Sequence, residues 1–122
     1  MRHKKKLDRL GRPTDQRLAL LTNLAKELIK HGQIVTTEAR AKALSPFVES
    51  MIHKAIRGNV KDLRVINSDL NSRRLVFQLK HEILPKLTRK QGGGYTTIVK
   101  MPPRRGDGAP LSMIRINYER AE

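Results

Sequence analysis

Two groups of residues have types and spacing suited to binding chemistry. Three adjacent glycines, Gly92-Gly93-Gly94, and an arginine pair, Arg104-Arg105, share the stretch KQGGGYTTIVKMPPRRGDGAP at 90–110. Glycine tolerates positive φ and lets backbone N–H groups approach an anion closely. Arginine presents a planar fork of donors that matches phosphate oxygens. With Arg89 and Lys90 just ahead of the glycines, the combination suits phosphate approach. A flexible polar loop is the plainer alternative. The triplet is not a nucleotide-binding P-loop, because no Lys-Ser or Lys-Thr follows at the required spacing and the glycines precede a strand pattern. Tyr95 either stacks on a base or opens the strand as a buried residue, and its place in the alternation favours the core. The RGD at 105–107 reads as a polar turn, since nothing in the sequence points to an extracellular adhesion protein.

Catalytic constellations are missing from the sequence. His3, His31, His53 and His81 match no metal-ligand spacing, and His81-Glu82 lacks the second histidine of a zinc protease motif. There is no G-x-S-x-G and no cysteine, so a thiolate site and a disulfide framework are both excluded. Glu38 and Glu49 fall on one helical stretch and are expected to be solvated or paired with nearby Lys and Arg.

Charge gives the strongest indication of a partner. The 122 residues hold 26 Lys and Arg against 11 Asp and Glu, a formal net charge of +15. Such an excess repels itself in a compact domain unless a polyanion neutralises it. The distribution is uneven. Residues 1–12 carry six Lys and Arg against one acid, and residues 89–105 carry five against none. Residues 1–13, MRHKKKLDRLGRP, show no helical or strand period, and Gly11 and Pro13 interrupt either. They read as an extended basic arm that a nucleic acid would order, with Arg2, His3, Lys4, Lys5, Lys6, Arg9 and Arg12 as phosphate ligands. Arg17, near the start of the first predicted helix, and Lys42, on the second, are further phosphate candidates. No apolar run reaches the roughly 18 residues of a membrane span, and no apolar segment follows the basic start as a secretory signal requires. DNA and an anionic membrane surface are the competing partners. The basic residues concentrate in the arm and loops instead of on one recognition helix, which disfavours DNA. The leucine-rich helix faces are better used as core than as a membrane face.

The elements that position these groups follow from periodicity. Thr14 or Asp15 can cap a helix whose apolar stripe is Leu18, Leu21, Leu24, Ala25 and Leu28, ending near His31-Gly32. Gln33–Thr36 is short and β-branched, a strand or a connector. Thr36 or Thr37 opens a second helix carrying Ala43, Leu44, Phe47, Val48, Met51, Ile52, Ala55 and Ile56. Pro46 kinks this helix, or splits it with Ser45 as a new cap, and Gly58 ends it. Residues 60–67 predict a short helix, and Asp69 or Asn71 starts another with Leu75, Val76, Leu79 and Ile83 inward until Pro85 disrupts it. The period then becomes two. Tyr95, Thr97, Val99 and Met101 alternate with Thr96, Ile98 and Lys100, and Ile114, Ile116 and Tyr118 alternate with Met113, Arg115 and Asn117. The connector 102–110 suits a protruding loop between antiparallel strands. The result is a single two-layer α+β domain over 14–122, about four helices on a two- to three-stranded, mostly antiparallel sheet, with the arm at 1–13.

Three segments together resemble one family. The chain opens MRH followed by a Lys/Arg cluster. It closes with Gly93-Gly94-Tyr95-Thr96, Ile98, Lys100 and RRGDGAPL (Arg104–Leu111), then a final strand. HGQIVTTEARAKAL and Arg73-Arg74-Leu75 lie between them. In this order, over nearly the whole chain, the set is similar to the bacterial-type large-subunit ribosomal protein L-seventeen family. The resemblance implies an early strand at Ile34–Thr36 and hence the order α-β-α-α-α-β-β. It also implies binding to large-subunit ribosomal RNA near the rim of the peptide exit tunnel. Neighbouring ribosomal proteins such as L-twenty-two and L-thirty-two are then the expected partners. It implies one copy per ribosome, no enzyme activity, no cofactor or metal, and a cytoplasmic location. With no leader expected ahead of Met1, a bacterial or mature organellar protein fits.

Overall fold

The computed structural model describes residues 14–88 and 92–119. α1 (Thr14–His31) buries Leu21, Ala25, Leu28 and Ile29, which recur every three or four residues and so share one face. Leu18 was expected in the stripe but stays 44% exposed, one turn beyond the edge of the core. A capping oxygen from Thr14 or Asp15 lies outside the described side chains. Gly32 ends the helix with φ 84°, its N–H donating to the Leu28 carbonyl at 2.6 Å. A second terminator comes from far along the chain: Gln78 Nε2 donates to the Ile29 carbonyl at 3.2 Å. That satisfies a carbonyl the helix itself leaves open.

The chain then enters β1 (Gln33–Thr37) directly. Thr37 caps α2 (Glu38–Arg57), its Oγ1 accepting from the Arg40 N–H at 3.3 Å. α2 is one continuous helix. Pro46 sits inside it on the exposed side, so the expected split at Ser45 does not occur, and the Ser45 hydroxyl is engaged elsewhere. Ala41, Leu44, Val48, Met51, Ile52 and Ala55 form its buried stripe.

α3 (Val60–Leu70) runs three residues longer than its sequence period indicated, because Leu70 extends the buried set of Leu63 and Ile66. The Arg57 guanidinium grips Asp62 through Nε (3.1 Å) and Nη2 (2.9 Å), tying the end of α2 to the start of α3. Asn71, at φ 52°, closes α3 in the left-handed conformation instead of opening the next helix, and Asp69 lies inside α3. Ser72 takes the capping role for α4 (Arg73–Gln78), its Oγ accepting from Leu75 N–H. The helix widens into a π turn at Leu79–Ile83, then tightens into a 3₁₀ turn at Leu84–Lys86 around Pro85. Leu79 and Ile83 point inward as expected.

The sheet has three antiparallel strands in the order β1-β3-β2, with β2 at Thr96–Met101 and β3 at Leu111–Ile116. β3 is central, pairing Ile114 with both Ile34 and Ile98. One face of this row meets the helices: Ile114 and Ile116 are buried, and Ile34 and Ile98 pack against the same core. The other face leaves Val35 and Val99 largely exposed on either side of Met113. The result is the expected two-layer α+β domain with all helices on one side.

Candidate nucleic-acid interface

The stretch that looked like one motif is two sites. β2 separates the glycines from the arginines, and its six residues alone span about 17 Å. The glycines lie at the end of the sheet where β2 begins, and Arg104-Arg105 lie beyond the end where it stops.

At the glycine end, Gly92, Gly93 and Gly94 all have positive φ (88°, 83° and 74°). Three successive left-handed residues exclude ordinary side chains on backbone sterics alone. Space is not the constraint, since a Cβ on Gly93 would meet nothing within 4 Å. Asn117 fixes the base of the loop. Its carbonyl accepts from Thr88 N–H (2.9 Å), its own N–H donates to the Tyr95 carbonyl (2.8 Å), and Nδ2 donates to the Gly94 carbonyl (3.2 Å). Oδ1 then accepts from the Thr97 hydroxyl at 2.8 Å. One residue therefore holds both feet of the segment running from Thr88 to Gly94.

α2 braces the same corner. Glu49 Oε2 accepts from both the N–H and the hydroxyl of Thr96, each at 2.8 Å. Because Thr96 Oγ1 donates its proton to Glu49, it receives one from Ser45 Oγ at 2.9 Å. Glu49 was expected to be solvated or paired with a Lys or Arg; it is instead half-buried and anchors the strand through Thr96. Glu38 does pair with a lysine, Lys100, at 3.8 Å.

Tyr95 belongs to the core. It is 2% exposed, so its ring has no free face for a base, and the stacking alternative is corrected. Its ring fills the core where the strand leaves the glycines, and its buried hydroxyl has no partner among the described residues.

At the other end, Arg104 turns back on its own loop. Nε and Nη2 donate to the two oxygens of Asp107 at 3.1 and 2.9 Å, and the Ala109 N–H donates to Oδ1 at 3.1 Å. The Arg104 hydrogen bonds, followed by that of Ala109, hold the Asp107 carboxyl down to about 2, and Asp107 in turn raises the arginine. Positive φ at Gly106 (88°) and Gly108 (67°) permits the tight return. The expected pair of phosphate forks is therefore one engaged fork and one exposed arginine, Arg105. The carboxylate of the RGD sequence is occupied by Arg104. Lys42 is exposed on α2 at this same end, lining a cavity of about 460 Å³ with Thr37, Glu38, Ala39, Ala109 and Pro110. The Glu38 N–H donates to the Pro110 carbonyl at 3.0 Å and fixes the loop to the helix start.

Arg17 departs from expectation. It is only 9% exposed, and its Nε has no partner among the described residues. Burial to this extent leaves little of its guanidinium for a surface phosphate. Arg2, His3, Lys4, Lys5, Lys6, Arg9, Arg12, Arg89 and Lys90 lie outside the described residues. Sequence reasoning missed Asn117 and Glu49, because a polar residue at a strand end and an acid on a helix carry no signal of a partner distant in sequence.

The sequence matches known proteins over most of its length. A family profile described as ribosomal protein L17 matches residues 20–117. A protein named large ribosomal subunit protein bL17 from Thermus thermophilus is 44% identical over 117 residues, covering 95% of this chain and 98% of that one. One of the same name from Kosmotoga olearia is 40% identical, covering 100% and 97%. A third, from Thermoanaerobacter pseudethanolicus, is 46% identical over 108 residues, covering 88% and 96%.

Proposed function

Because the chain belongs to the ribosomal protein L17 family, we propose that it is a structural, non-catalytic component of the large ribosomal subunit that binds large-subunit rRNA through its basic arm and loops. The observation that carries this reading is the loop of three left-handed glycines, stapled at its base by Asn117. A backbone so open and so firmly held accepts close approach by a phosphate-ribose chain without rearranging.

The chemistry divides into tasks. The arm, with Arg2, His3, Lys4, Lys5, Lys6, Arg9 and Arg12, neutralises phosphates where RNA helices pack. Arg89 and Lys90 do the same beside the glycines, and Lys42 and Arg105 at the far end of the sheet. Such contacts position the protein without reading sequence, and specificity comes from RNA shape and 2′-hydroxyls. The location follows from the family resemblance alone: near the peptide exit tunnel, beside ribosomal proteins L-twenty-two and L-thirty-two, one copy per cytoplasmic ribosome, with no cofactor.

A salt titration tests the phosphate account. With about six phosphate contacts, affinity for isolated large-subunit rRNA falls roughly a thousandfold between 50 and 200 mM monovalent salt. A flat response would overturn it. Co-sedimentation with large subunits, with release only at high salt, is the matching result for assembled particles.

A further inference from the structure

A third basic surface lies on the exposed face of α4 and the π turn, outside the glycine and arginine loops. Phe77 is 59% exposed in a protein with very few aromatic residues. Its ring packs against the His81 imidazole, with centroids 4.3 Å apart and planes inclined at 39°. Arg73, Arg74 and Lys80 are exposed around this pair. The spacing explains the grouping: 73 and 74 lie four and three residues before 77, and 80 and 81 lie three and four after it. Leu79 and Ile83 anchor the opposite side of the same turns in the core. Gln78, beside Phe77, ties the segment to the end of α1. The aromatic pair therefore stands on a fixed base.

The fold does not require Phe77 to be outside. Leu75, Val76, Leu79 and Ile83 already supply the apolar contacts of this segment. A large exposed ring, backed by a second ring and flanked by three long cations, is what an unpaired nucleobase needs: a flat apolar surface with charge at its rim for the flanking phosphates. Glu82 is the acid within this run and is also exposed, so cations prevail around the pair.

The geometry points to a single-stranded RNA subsite here: an unpaired base stacks on Phe77, supported from behind by His81, while Arg73, Arg74 and Lys80 take the adjacent phosphates. This inference rests on the rRNA-binding reading and deepens it. It adds a contact to looped-out RNA, where the arm and loops contact only backbone.

The test uses the full chain with two probes: a twelve-nucleotide oligoadenylate carrying one central 2-aminopurine, and a blunt twelve-base-pair RNA duplex. Stacking quenches 2-aminopurine. The wild type is expected to quench the single strand. Phe77→Ala should lose the quench and weaken single-strand binding about fivefold or more, with duplex affinity unchanged. Phe77→Tyr should restore both, and Phe77→Leu should not. Replacing Arg73 and Arg74 by alanine should weaken both probes and flatten the salt dependence. Absence of quenching by the wild type, equal loss on both probes, or full retention by Phe77→Leu overturns the subsite. Binding to large-subunit rRNA, measured alongside, separates the two readings. If the wild type binds rRNA with a steep salt response and Phe77→Ala behaves as wild type on oligoadenylate, only the subsite fails. If the wild type does not bind rRNA, the functional reading fails with it.

Discussion

The two ends of the β2–β3 pair solve opposite problems. At the glycine end, the backbone is in a conformation that is unfavourable for most residues, and the rest of the protein holds it there. Asn117 reaches across from the end of β3, and Ser45 and Glu49 reach down from α2. At the arginine end, the loop projects into solvent and is organised chiefly by its own residues, Arg104 clasping Asp107 three positions away. The first is ordered by the fold and the second by its own sequence. A backbone-lined surface needs external bracing because it has no side chains of its own. A side-chain surface can carry its own brace, at the cost of occupying one of its charges.

Three substitutions test this contrast. Asn117→Ala removes two side-chain hydrogen bonds at the glycine end and should cost about 2 kcal/mol. Its melting temperature is expected to fall by roughly 5–10 °C. Arg104→Ala, at the other end, should leave the melting temperature unchanged. Equal effects of the two would abolish the distinction between externally and internally ordered loops. Gly93→Ala is next in size. The space around it is open, so only the φ of 83° opposes a side chain, and the loss should be about 1 kcal/mol by chemical denaturation.

The smallest effect is at Asp107. Its carboxyl titrates at about 2 in the fold against a usual 3.8. The depressed value means that the clasp is fully formed above the usual value and opens as pH falls through 2, and on so exposed a loop it adds little to global stability. NMR titration should show that midpoint, moving up toward the ordinary carboxylate range in Arg104→Ala but staying below it, because the Ala109 N–H still donates to the carboxylate. Asp107→Asn should leave the melting temperature unchanged and release the Arg104 fork, steepening the logarithmic salt dependence of rRNA binding by about 0.7–0.9. Weaker binding by Asp107→Asn would show that the clasp serves to present Arg105 and not to withhold Arg104.

The same contrast separates what was legible in the sequence from what was not. Strands were readable at Ile98 and Ile114 because alternation is local, and the stripe of α2 because its spacing is local. Asn71 was misread as a helix start because Asn suits both the capping position before a helix and the left-handed position after one, and the neighbouring Ser72 decided the matter. Pro46 was expected to kink α2 or to split it at Ser45; the helix is not split, and its buried stripe on the side opposite the exposed Pro46 is continuous. The types of residue at the candidate surfaces were visible from charge and glycine content. Their separation into two ends was not, because proximity in sequence across a strand becomes distance in space. Partners such as Asn117 with Gly94, or Glu49 with Thr96, are more than twenty residues apart and have no periodic signature.

The strand order also has a consequence in time. β1 is complete long before β3 and nine residues separate β2 from it, yet β1 and β2 do not pair with each other, and among the described residues each finds its sheet partner in β3. During synthesis the helices can close on one another early, through contacts between neighbours in sequence. The sheet, by contrast, forms in a single late event when residues 111–116 arrive between two waiting edges. Non-local pairing of this kind is slow compared with helix docking, so the rate at which the protein becomes native should be set by the insertion of β3. Asn117 directly follows that strand, so the braced glycine surface becomes available only once folding is complete.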